Sequence, residues 1–81
     1  MNYSFTPRFA RSYRKFSSSV QEKFDKQLAF LLNDLTHPSL HAKKFDEVTG
    51  IWQARVDRNV RFYFLINKDI YILLDIKTHA K

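Results

Sequence analysis

The sequence predicts an α+β fold in which a helical hairpin packs on one face of a small antiparallel sheet, with the element order β-α-α-β-β-β. Two observations predict this fold class. The first half of the chain repeats its apolar residues at helical spacing, whereas the second half contains three runs rich in Ile, Val, Phe and Tyr that short polar turns separate. With 81 residues, one Gly and no visible internal repeat, the chain is expected to be a single domain over residues 1–81.

The N-terminal segment predicts a short strand followed by a first helix. Residues 2–6 form the strand, Thr6 is the expected N-cap and Pro7 is the first helical residue. The helix has an apolar stripe at positions i, i+4 and i+7 and basic residues on its other faces. The stripe is Phe9, Tyr13 and Phe16, and the basic residues are Arg8, Arg11, Arg14 and Lys15. These four cations either follow a nucleic-acid backbone or form a solvated helix face.

A second helix follows the serine run, with Ser18 or Ser19 as its expected N-cap. It should end near Leu35, because Pro38 disfavours helical backbone at the residue before it. A connection then leads to the strands, and Phe45 is a candidate for one further short strand. The apolar face of this helix consists of Val20, Phe24, Leu28, Leu31, Leu32 and Leu35.

Three strands are predicted at residues 51–56, 60–66 and 70–76, joined by loops at 57–59 and 67–69. Side chains alternate along a strand, and one alternate set in each run is almost purely apolar. These sets should face the helices together, which requires an odd number of residues in each loop. They are Trp52, Ala54 and Val56; Val60, Phe62, Phe64 and Ile66; and Ile70, Ile72, Leu74 and Ile76.

The same register places two arginines opposite each other on the open face of the sheet. Arg55 is expected to pair with Arg61, and Arg61 with Asp75 in the last strand. One carboxylate cannot neutralise this group of cations. The face is therefore either an anion site, with guanidinium groups suited to phosphate, or a surface with one ordinary ion pair and a solvated Arg55. The other side chains expected on it are Gln53, Tyr63, Lys77 and His79.

The composition favours a polyanionic partner. Fourteen Lys and Arg against eight Asp and Glu give a net charge of +6, and the isoelectric point is near 9.8. The chain has no Cys, which excludes disulfides and thiolate metal sites, and no apolar run long enough to span a membrane. We therefore expect a cytoplasmic location and no membrane partner.

Few side chains in the sequence are suited to chemistry. His79 is a candidate general acid or base, or alternatively an unimportant residue after the last strand. His37 and His41 do not form a compact metal motif, so no metal or other cofactor is expected. Trp52 is expected in the core, and Tyr63 is the better candidate to stack on a base.

The segment KKFDEVTGIWQARVDRNVRFYFLINKDIYILLDIKTHAK, residues 43–81, resembles the C-terminal half of the RelE/ParE superfamily of toxins from type II toxin–antitoxin systems. The shared pattern is a Lys-rich approach, a Gly and an aromatic residue, and a strand with Arg. A second strand with Arg and Tyr follows, and then an apolar strand that ends in a basic or His position. The two preceding helices also fit, so the likeness covers nearly the whole chain and implies a microbial-RNase-like fold.

The resemblance implies an endoribonuclease that cuts mRNA in the ribosomal A site without a metal ion. Arg61 stands where the family has a phosphate-binding arginine, and Arg55 at another basic position of that cleft. His79 stands where relatives have an Arg or His that protonates the leaving 5′-oxygen. These three are the expected catalytic residues. The expected substrate-binding residues are Lys43, Lys44, Gln53, Tyr63, Lys77, Arg58 and Arg11.

The resemblance also implies two kinds of partner. One is a cognate antitoxin, which would form a hetero-oligomer with the toxin. The other is the ribosome, with its mRNA and rRNA. We expect an acidic, partly disordered segment of the antitoxin to fold across the basic surface.

The sequence departs from the family pattern at two places. Gln53 occupies the position where some relatives have a lysine proposed as general base, and no general base is identified, since Lys43 and Lys44 are expected to bind RNA as charges. Many relatives also continue after the His position with acidic residues and a Tyr, whereas this sequence ends at Lys81. Two alternatives follow: a toxin that inhibits DNA gyrase without cutting RNA, as in part of the superfamily, and a degenerate relative that only binds RNA.

Overall fold

A computed structural model of the chain describes residues 1–79, and within them it has two α-helices and a five-stranded sheet. The helices are α1 (Pro7–Arg14) and α2 (Ser18–Asn33), and a 3₁₀ segment (Pro38–Leu40) follows them. The strands are β1 (Asn2–Phe5), β2 (Lys43–Asp46), β3 (Ile51–Arg55), β4 (Val60–Asn67) and β5 (Ile70–Thr78). This architecture confirms the predicted α+β fold class.

Helix α1 begins as the sequence predicts. The side chain of Thr6 accepts a hydrogen bond from the backbone N–H of Phe9 at 3.1 Å, and Pro7 is the first helical residue. Phe9 is buried against Phe24 of α2, with ring centroids 5.2 Å apart. This aromatic contact joins the two helices into the predicted hairpin.

Helix α2 begins one or two residues earlier than predicted, since Ser18 or Ser19 was expected as its N-cap. Its N-cap is Ser17, which accepts from the backbone N–H of Val20 at 3.3 Å, so Ser18 and Ser19 lie inside the helix. The helix ends at Asn33, slightly before the expected end. The predicted apolar face packs on the sheet: Phe24, Leu28 and Leu31 are buried, and Val20, Leu32 and Leu35 are partly buried against the same core.

Strand β2 is an addition to the predicted order of four strands. It pairs antiparallel with β3 and has a β-bulge between Lys44 and Asp46, so that the candidate strand around Phe45 is real. Its sequence, KKFD, has no alternating apolar set, because β2 is an edge strand whose residues are mostly exposed. The sheet order is β1-β5-β4-β3-β2, in which only β1 and β5 are parallel.

The register between β3 and β4 is the predicted one. Arg55 pairs with Arg61, and the backbone N–H of Val56 donates to the carbonyl of Val60 at 2.9 Å. Asp57 fixes the loop, since its side chain accepts from the backbone N–H groups two and three residues later, at 2.8 and 2.9 Å. The alternation of apolar residues was therefore sufficient to place the two arginines opposite each other.

The connection between β4 and β5 differs from the prediction. Asn67 pairs with Ile70, so two residues join the strands instead of three, and the first of them, Lys68, has a φ of +58°. A β-bulge at Leu74 then inserts one extra residue into β5. The short turn and the bulge together shift the register by two residues near Arg61.

Two predictions fail because of this shift. Lys77, not Asp75, lies opposite Arg61. The helix-facing residues at the start of β5 are Tyr71 and Leu73, which are buried, and not Ile70, Ile72 and Leu74. The physical reason is that residues 70–74 are apolar at every position, so their alternation does not distinguish the two faces of the strand.

The core lies between the helical hairpin and one face of the sheet. Its fully buried side chains include Phe62, Phe64, Leu31, Leu40, Leu73 and Ile76. The opposite face of β2, β3 and β4 has no helix on it within residues 1–79, and it carries the paired arginines. Neither helix in that range is long and apolar enough to cross a membrane.

Candidate anion-binding cleft

A cleft of about 740 Å³ lies on the open face of the sheet. It is formed by the segment that enters β2, by the outward positions of β3 and β4, and by the residue that follows β5. The three residues expected to be catalytic all line it. The lining residues are His41, Ala42, Lys43, Lys44, Phe45, Gln53, Arg55, Arg61 and His79.

Arg61 is the most tightly held cation of the cleft. Only 8% of it is exposed, and its Nη1 donates to the backbone carbonyls of Asp57, Arg58 and Val60 at 2.7, 3.1 and 3.2 Å. These bonds fix the guanidinium against the β3–β4 loop. They all come from one nitrogen, so Nε and Nη2 of Arg61 are not used by them.

Arg55 is exposed, but its backbone is anchored from below by Gln27 of α2. The Gln27 side chain is 7% exposed, and its Nε2 donates to the carbonyls of Arg55 at 2.9 Å and Ser39 at 3.1 Å. The Ser39 hydroxyl donates back to Gln27 Oε1 at 3.2 Å. A buried polar network therefore connects α2, the 3₁₀ segment and the end of β3.

The two paired arginines lack a carboxylate partner among residues 1–79. The ion pairs in that range are Lys23–Asp57 and Lys44–Glu47. Like charges directly opposite each other on a sheet are unfavourable by some tenths of a kcal/mol, about 0.2–1. A bound anion would relieve this repulsion, and guanidinium groups match the geometry of phosphate.

Strand β2 brings two lysines with different surroundings to the cleft. Lys43 pairs with Gln53 and is exposed on the same face as the arginines. Lys44 pairs with Trp52, where its Nζ lies 5.5 Å above the indole ring and 3.7 Å from the carboxylate of Glu47. Lys43 is therefore better suited than Lys44 to bind a phosphate, since Glu47 already partly compensates the charge of Lys44.

His79 reaches the cleft from the end of β5. Its backbone N–H donates to the carbonyl of Asn59 at 2.6 Å, and its side chain is exposed. The β3–β4 loop therefore holds both His79 and the guanidinium of Arg61. An imidazole that lines the same cleft as two guanidinium groups can exchange a proton with an oxygen of an anion bound there.

Tyr63 lies on the open face but is buried. Phe45 packs edge-on against it with ring centroids 5.0 Å apart, and the Nζ of Lys77 lies 5.1 Å from its ring centroid. Burial raises the pKa of the Tyr63 phenol, Arg61 opposes the shift, and Asp75 adds to it. The aromatic face that lines the cleft is that of Phe45, which is 57% exposed.

Four of the expected substrate-binding residues lie outside the lining of the cleft: Tyr63, Lys77, Arg58 and Arg11. Lys77 extends the positive surface beside Arg61, Arg58 lies in the β3–β4 loop, and Arg11 is on α1. Asp75, which was expected to pair with Arg61, accepts a hydrogen bond from the hydroxyl of Ser12 on α1 at 2.7 Å. The remaining three, Lys43, Lys44 and Gln53, line the cleft.

Sequence reasoning missed His41 and Phe45 as lining residues. His41 has a φ of +47°, a left-handed conformation that ends the 3₁₀ segment and starts the path into β2. A usable signal was present, because His41, Lys43 and Phe45 are spaced two residues apart, as outward residues of a strand are. This spacing predicts a shared face only if residues 41–45 form a strand, and the sequence indicates that strand only as a candidate around Phe45.

The chemistry of the lining is cationic and aromatic. The lining residues include no carboxylate, which is the ligand that Mg²⁺ and Ca²⁺ prefer. Among residues 1–79, no three His, Cys, Asp or Glu side chains are grouped so as to hold a metal ion. The cleft therefore suits an anion with phosphate and ring components.

No protein-family model and no curated protein sequence matches the chain. Among solved structures, the YoeB–YefM toxin–antitoxin complex from Staphylococcus aureus contains a chain with a TM-score of 0.80 at 15% identity, covering 99% of this chain and 98% of the other. The archaeal RelE–RelB complex from Pyrococcus horikoshii gives 0.81 at 10% identity, covering 99% and 96%. YafQ from Escherichia coli gives 0.81 at 13% identity, covering 98% and 93%. Over almost its whole length, the chain has the fold of the YoeB, RelE and YafQ proteins.

Proposed function

We propose that the protein is the toxin of a type II toxin–antitoxin system and that it cleaves mRNA on the ribosome in a metal-independent reaction. The observation that carries the proposal is the cleft, in which Arg55, Arg61 and His79 meet on the open face of the sheet. The fold supports it, because chains of this fold occur in the YoeB–YefM toxin–antitoxin complex and in the RelE–RelB complex. The net charge of +6 fits an RNA ligand.

The proposed reaction is a transesterification within the RNA. The 2′-oxygen of a nucleotide attacks the adjacent phosphorus, the bond between phosphorus and the 5′-oxygen breaks, and a 2′,3′-cyclic phosphate and a 5′-hydroxyl form. The 2′-hydroxyl gives up one proton and the leaving 5′-oxygen takes up another. His79 supplies the second proton, while Arg55 and Arg61 stabilise the added negative charge on the phosphorane.

The remaining lining residues position the RNA. Lys43 and Lys44 bind flanking phosphates, and Gln53, which is 9% exposed, offers an amide to a phosphate or base edge. Lys77 and Arg58 lie beside the cleft and extend its positive surface toward the rest of the message or the rRNA. In this proposal the substrate is mRNA bound to a cytoplasmic ribosome, and rRNA helps to position the mRNA in the cleft.

An acidic antitoxin is the proposed partner that silences the toxin. The cationic cleft attracts an acidic, partly disordered segment, which folds as it covers the arginines. Co-expression with the small reading frame next to this gene should restore growth. This part of the proposal is wrong if co-expression of the neighbouring reading frames does not restore growth.

Mapping of mRNA 5′ ends in cells that express the protein tests the cleavage. The wild type should produce new 5′ ends, and Arg55→Ala and His79→Ala should each reduce their formation by about 100-fold. Lys26→Ala is the control, because it removes one exposed positive charge from α2 on the other side of the sheet. Growth arrest with intact mRNA and an SOS response would instead indicate a gyrase inhibitor, and absence of toxicity would indicate a module that only binds RNA.

A further inference from the structure

The cleft contains two imidazoles, one at each end of its row of arginines. His79 follows β5, and His41 precedes β2, while Arg61 and Arg55 lie on the two strands between them. Phosphoryl transfer from a 2′-oxygen needs one group that accepts a proton and one that donates a proton, on opposite sides of the phosphorus. The order of these side chains across the sheet matches that need.

Strand register supports the order. Arg55 pairs with Arg61, and Lys43, the first residue of β2, pairs with Gln53, while His41 lies two residues before Lys43 and lines the same cleft. Neighbouring strands lie about 4.8 Å apart, so the backbones of β2 and β5 are separated by roughly 14 Å across the row. His41 and His79 line the cleft from these two ends, and its volume of about 740 Å³ accommodates a phosphate group.

The segment that carries His41 is anchored to the strand that carries Arg55. The backbone N–H of His41 donates to the carbonyl of Pro38 at 3.3 Å, and Leu40 beside it is completely buried. Gln27 holds the carbonyls of both Ser39 and Arg55 through one amide nitrogen. Buried contacts therefore tie the backbone beside His41 to the strand that carries Arg55, while the imidazole itself is exposed.

The other lining residues are poorly suited to accept the proton of a 2′-hydroxyl. Arginine does not deprotonate in proteins, and the amide of Gln53 is not a base. The ammonium groups of Lys43 and Lys44 carry hydrogen-bond donors and no acceptor, and Lys44 lies beside Glu47. The described lining contains no Asp or Glu. His41 and His79 are therefore the imidazoles of the described lining, and an imidazole is the side chain that most often serves as a general base or acid.

We propose that His41 is the general base of the cleavage reaction and acts opposite His79, the general acid. This assignment rests on the proposed function. An imidazole nitrogen of His41 takes the proton of the 2′-hydroxyl as the 2′-oxygen forms its bond to phosphorus. As the bond from phosphorus to the 5′-oxygen breaks, His79 donates a proton to that oxygen. The protein therefore gains one proton at His41 and loses one at His79.

The test is single-turnover cleavage of ribosome-bound mRNA by purified variants. His41→Asn is the main substitution, because Asn adopts the left-handed backbone of this position and folding is retained. His37→Asn is the matched control, since His37 does not line the cleft and Asn also caps the 3₁₀ segment. We expect His41→Asn to slow cleavage by about 100-fold or more and His37→Asn to cleave like the wild type.

A substrate with sulfur in place of the 5′-oxygen at the cleavage site separates the base from the acid. A thiolate leaves without a proton, so this substrate should restore cleavage by His79→Ala and leave His41→Asn slow. Added imidazole should restore part of the activity of His41→Gly, in which Gly accepts the positive φ and leaves space for the ring. A 2′-O-methyl RNA, which cannot react, should bind His41→Asn and the wild type with the same Kd.

Several results would overturn the assignment. It is wrong if His41→Asn cleaves like the wild type, if the sulfur substrate restores its activity, or if its loss of binding accounts for its loss of rate. The assignment is also wrong if His41→Gly cleaves at a rate near that of the wild type both with and without imidazole. If the wild type itself does not cleave ribosome-bound mRNA, the proposed function is wrong, and the assignment of His41 falls with it.

Discussion

At the scale of single residues, Arg55 and Arg61 have the same side chain and different environments. Arg61 is 8% exposed and its Nη1 donates to two loop carbonyls and to that of Val60 at the start of β4, whereas Arg55 is exposed and is anchored only through its backbone. The sequence pattern predicted that the two lie opposite each other, because alternation fixes which face a side chain is on. It did not predict this difference, because the carbonyls that bind Arg61 belong to the loop conformation.

This difference predicts unequal effects of one conservative substitution. Arg61→Lys keeps the charge, but an ammonium on a flexible stem cannot reproduce the bonds to the carbonyls of Asp57, Arg58 and Val60. We expect the free energy of unfolding to fall by about 1–3 kcal/mol in urea titrations, the usual cost of leaving buried acceptors without donors. Arg55→Lys is the matched control and should change it little, so equal losses in both variants would contradict this role of Arg61.

The aromatic residues illustrate what alternation leaves undecided at this scale. Tyr63 was placed on the correct face, yet Phe45 and Lys77 cover it, and its burial could not be read from its own strand. His41 was missed for a related reason. Its left-handed backbone and its position in the cleft depend on the path from the 3₁₀ segment into β2, and the two-residue spacing of His41, Lys43 and Phe45 alone does not predict that path.

At the scale of elements, the helical hairpin and the β3–β4 pair follow from sequence, whereas the sheet edges do not. Thr6 and Pro7 define the start of α1, and opposed apolar sets define the β3–β4 register. Strand β2 was only partly foreseen, because KKFD is stabilised by pairing with β3 and not by an apolar face of its own. The bulge in β5 was missed because residues 70–74 are all apolar.

One buried side chain connects the elements that form the cleft. Gln27 lies within the apolar face of α2, where the helical pattern predicts a hydrophobic residue, and it bonds to Ser39 and to the carbonyl of Arg55. Burying a polar side chain at such a position costs little folding free energy only if all of its hydrogen-bond partners are present. We infer that it sets the spacing between α2, the 3₁₀ segment and β3.

Replacement of this amide tests its role at the element scale. Gln27→Leu leaves the carbonyls of Ser39 and Arg55 without their donor, so the free energy of unfolding should fall by about 1–3 kcal/mol. Cleavage should fall further than the unfolded fraction explains, because the segment with His41 loses its link to β3. Glu22→Leu, which adds the same side chain at an exposed position of α2, is the control. An unchanged melting temperature and rate in Gln27→Leu would rule out this link.

At the scale of the whole molecule, the positive charge is divided between two surfaces. The cleft collects Lys43, Arg55 and Arg61 on the open face of the sheet, and α1 carries a second basic group. A net charge of +6 alone does not show which surface binds RNA in the proposed function, because long-range attraction acts on the sum of the charges. The number of counterions released on binding does report the local contacts.

The salt dependence of RNA binding should therefore identify the surface. For a single strand, the logarithm of the association constant falls with the logarithm of salt concentration with a slope of about −0.7 for each phosphate neutralised. The four cleft cations, Lys43, Lys44, Arg55 and Arg61, predict a slope of about −3 for an uncleavable 2′-O-methyl RNA, and Arg55→Ala should reduce its magnitude by about 0.7. Lys26→Ala should leave it unchanged. If Arg11→Ala also reduces the magnitude of the slope, the RNA site extends onto α1. If Arg55→Ala leaves the slope unchanged, the cleft is not part of the RNA-binding surface.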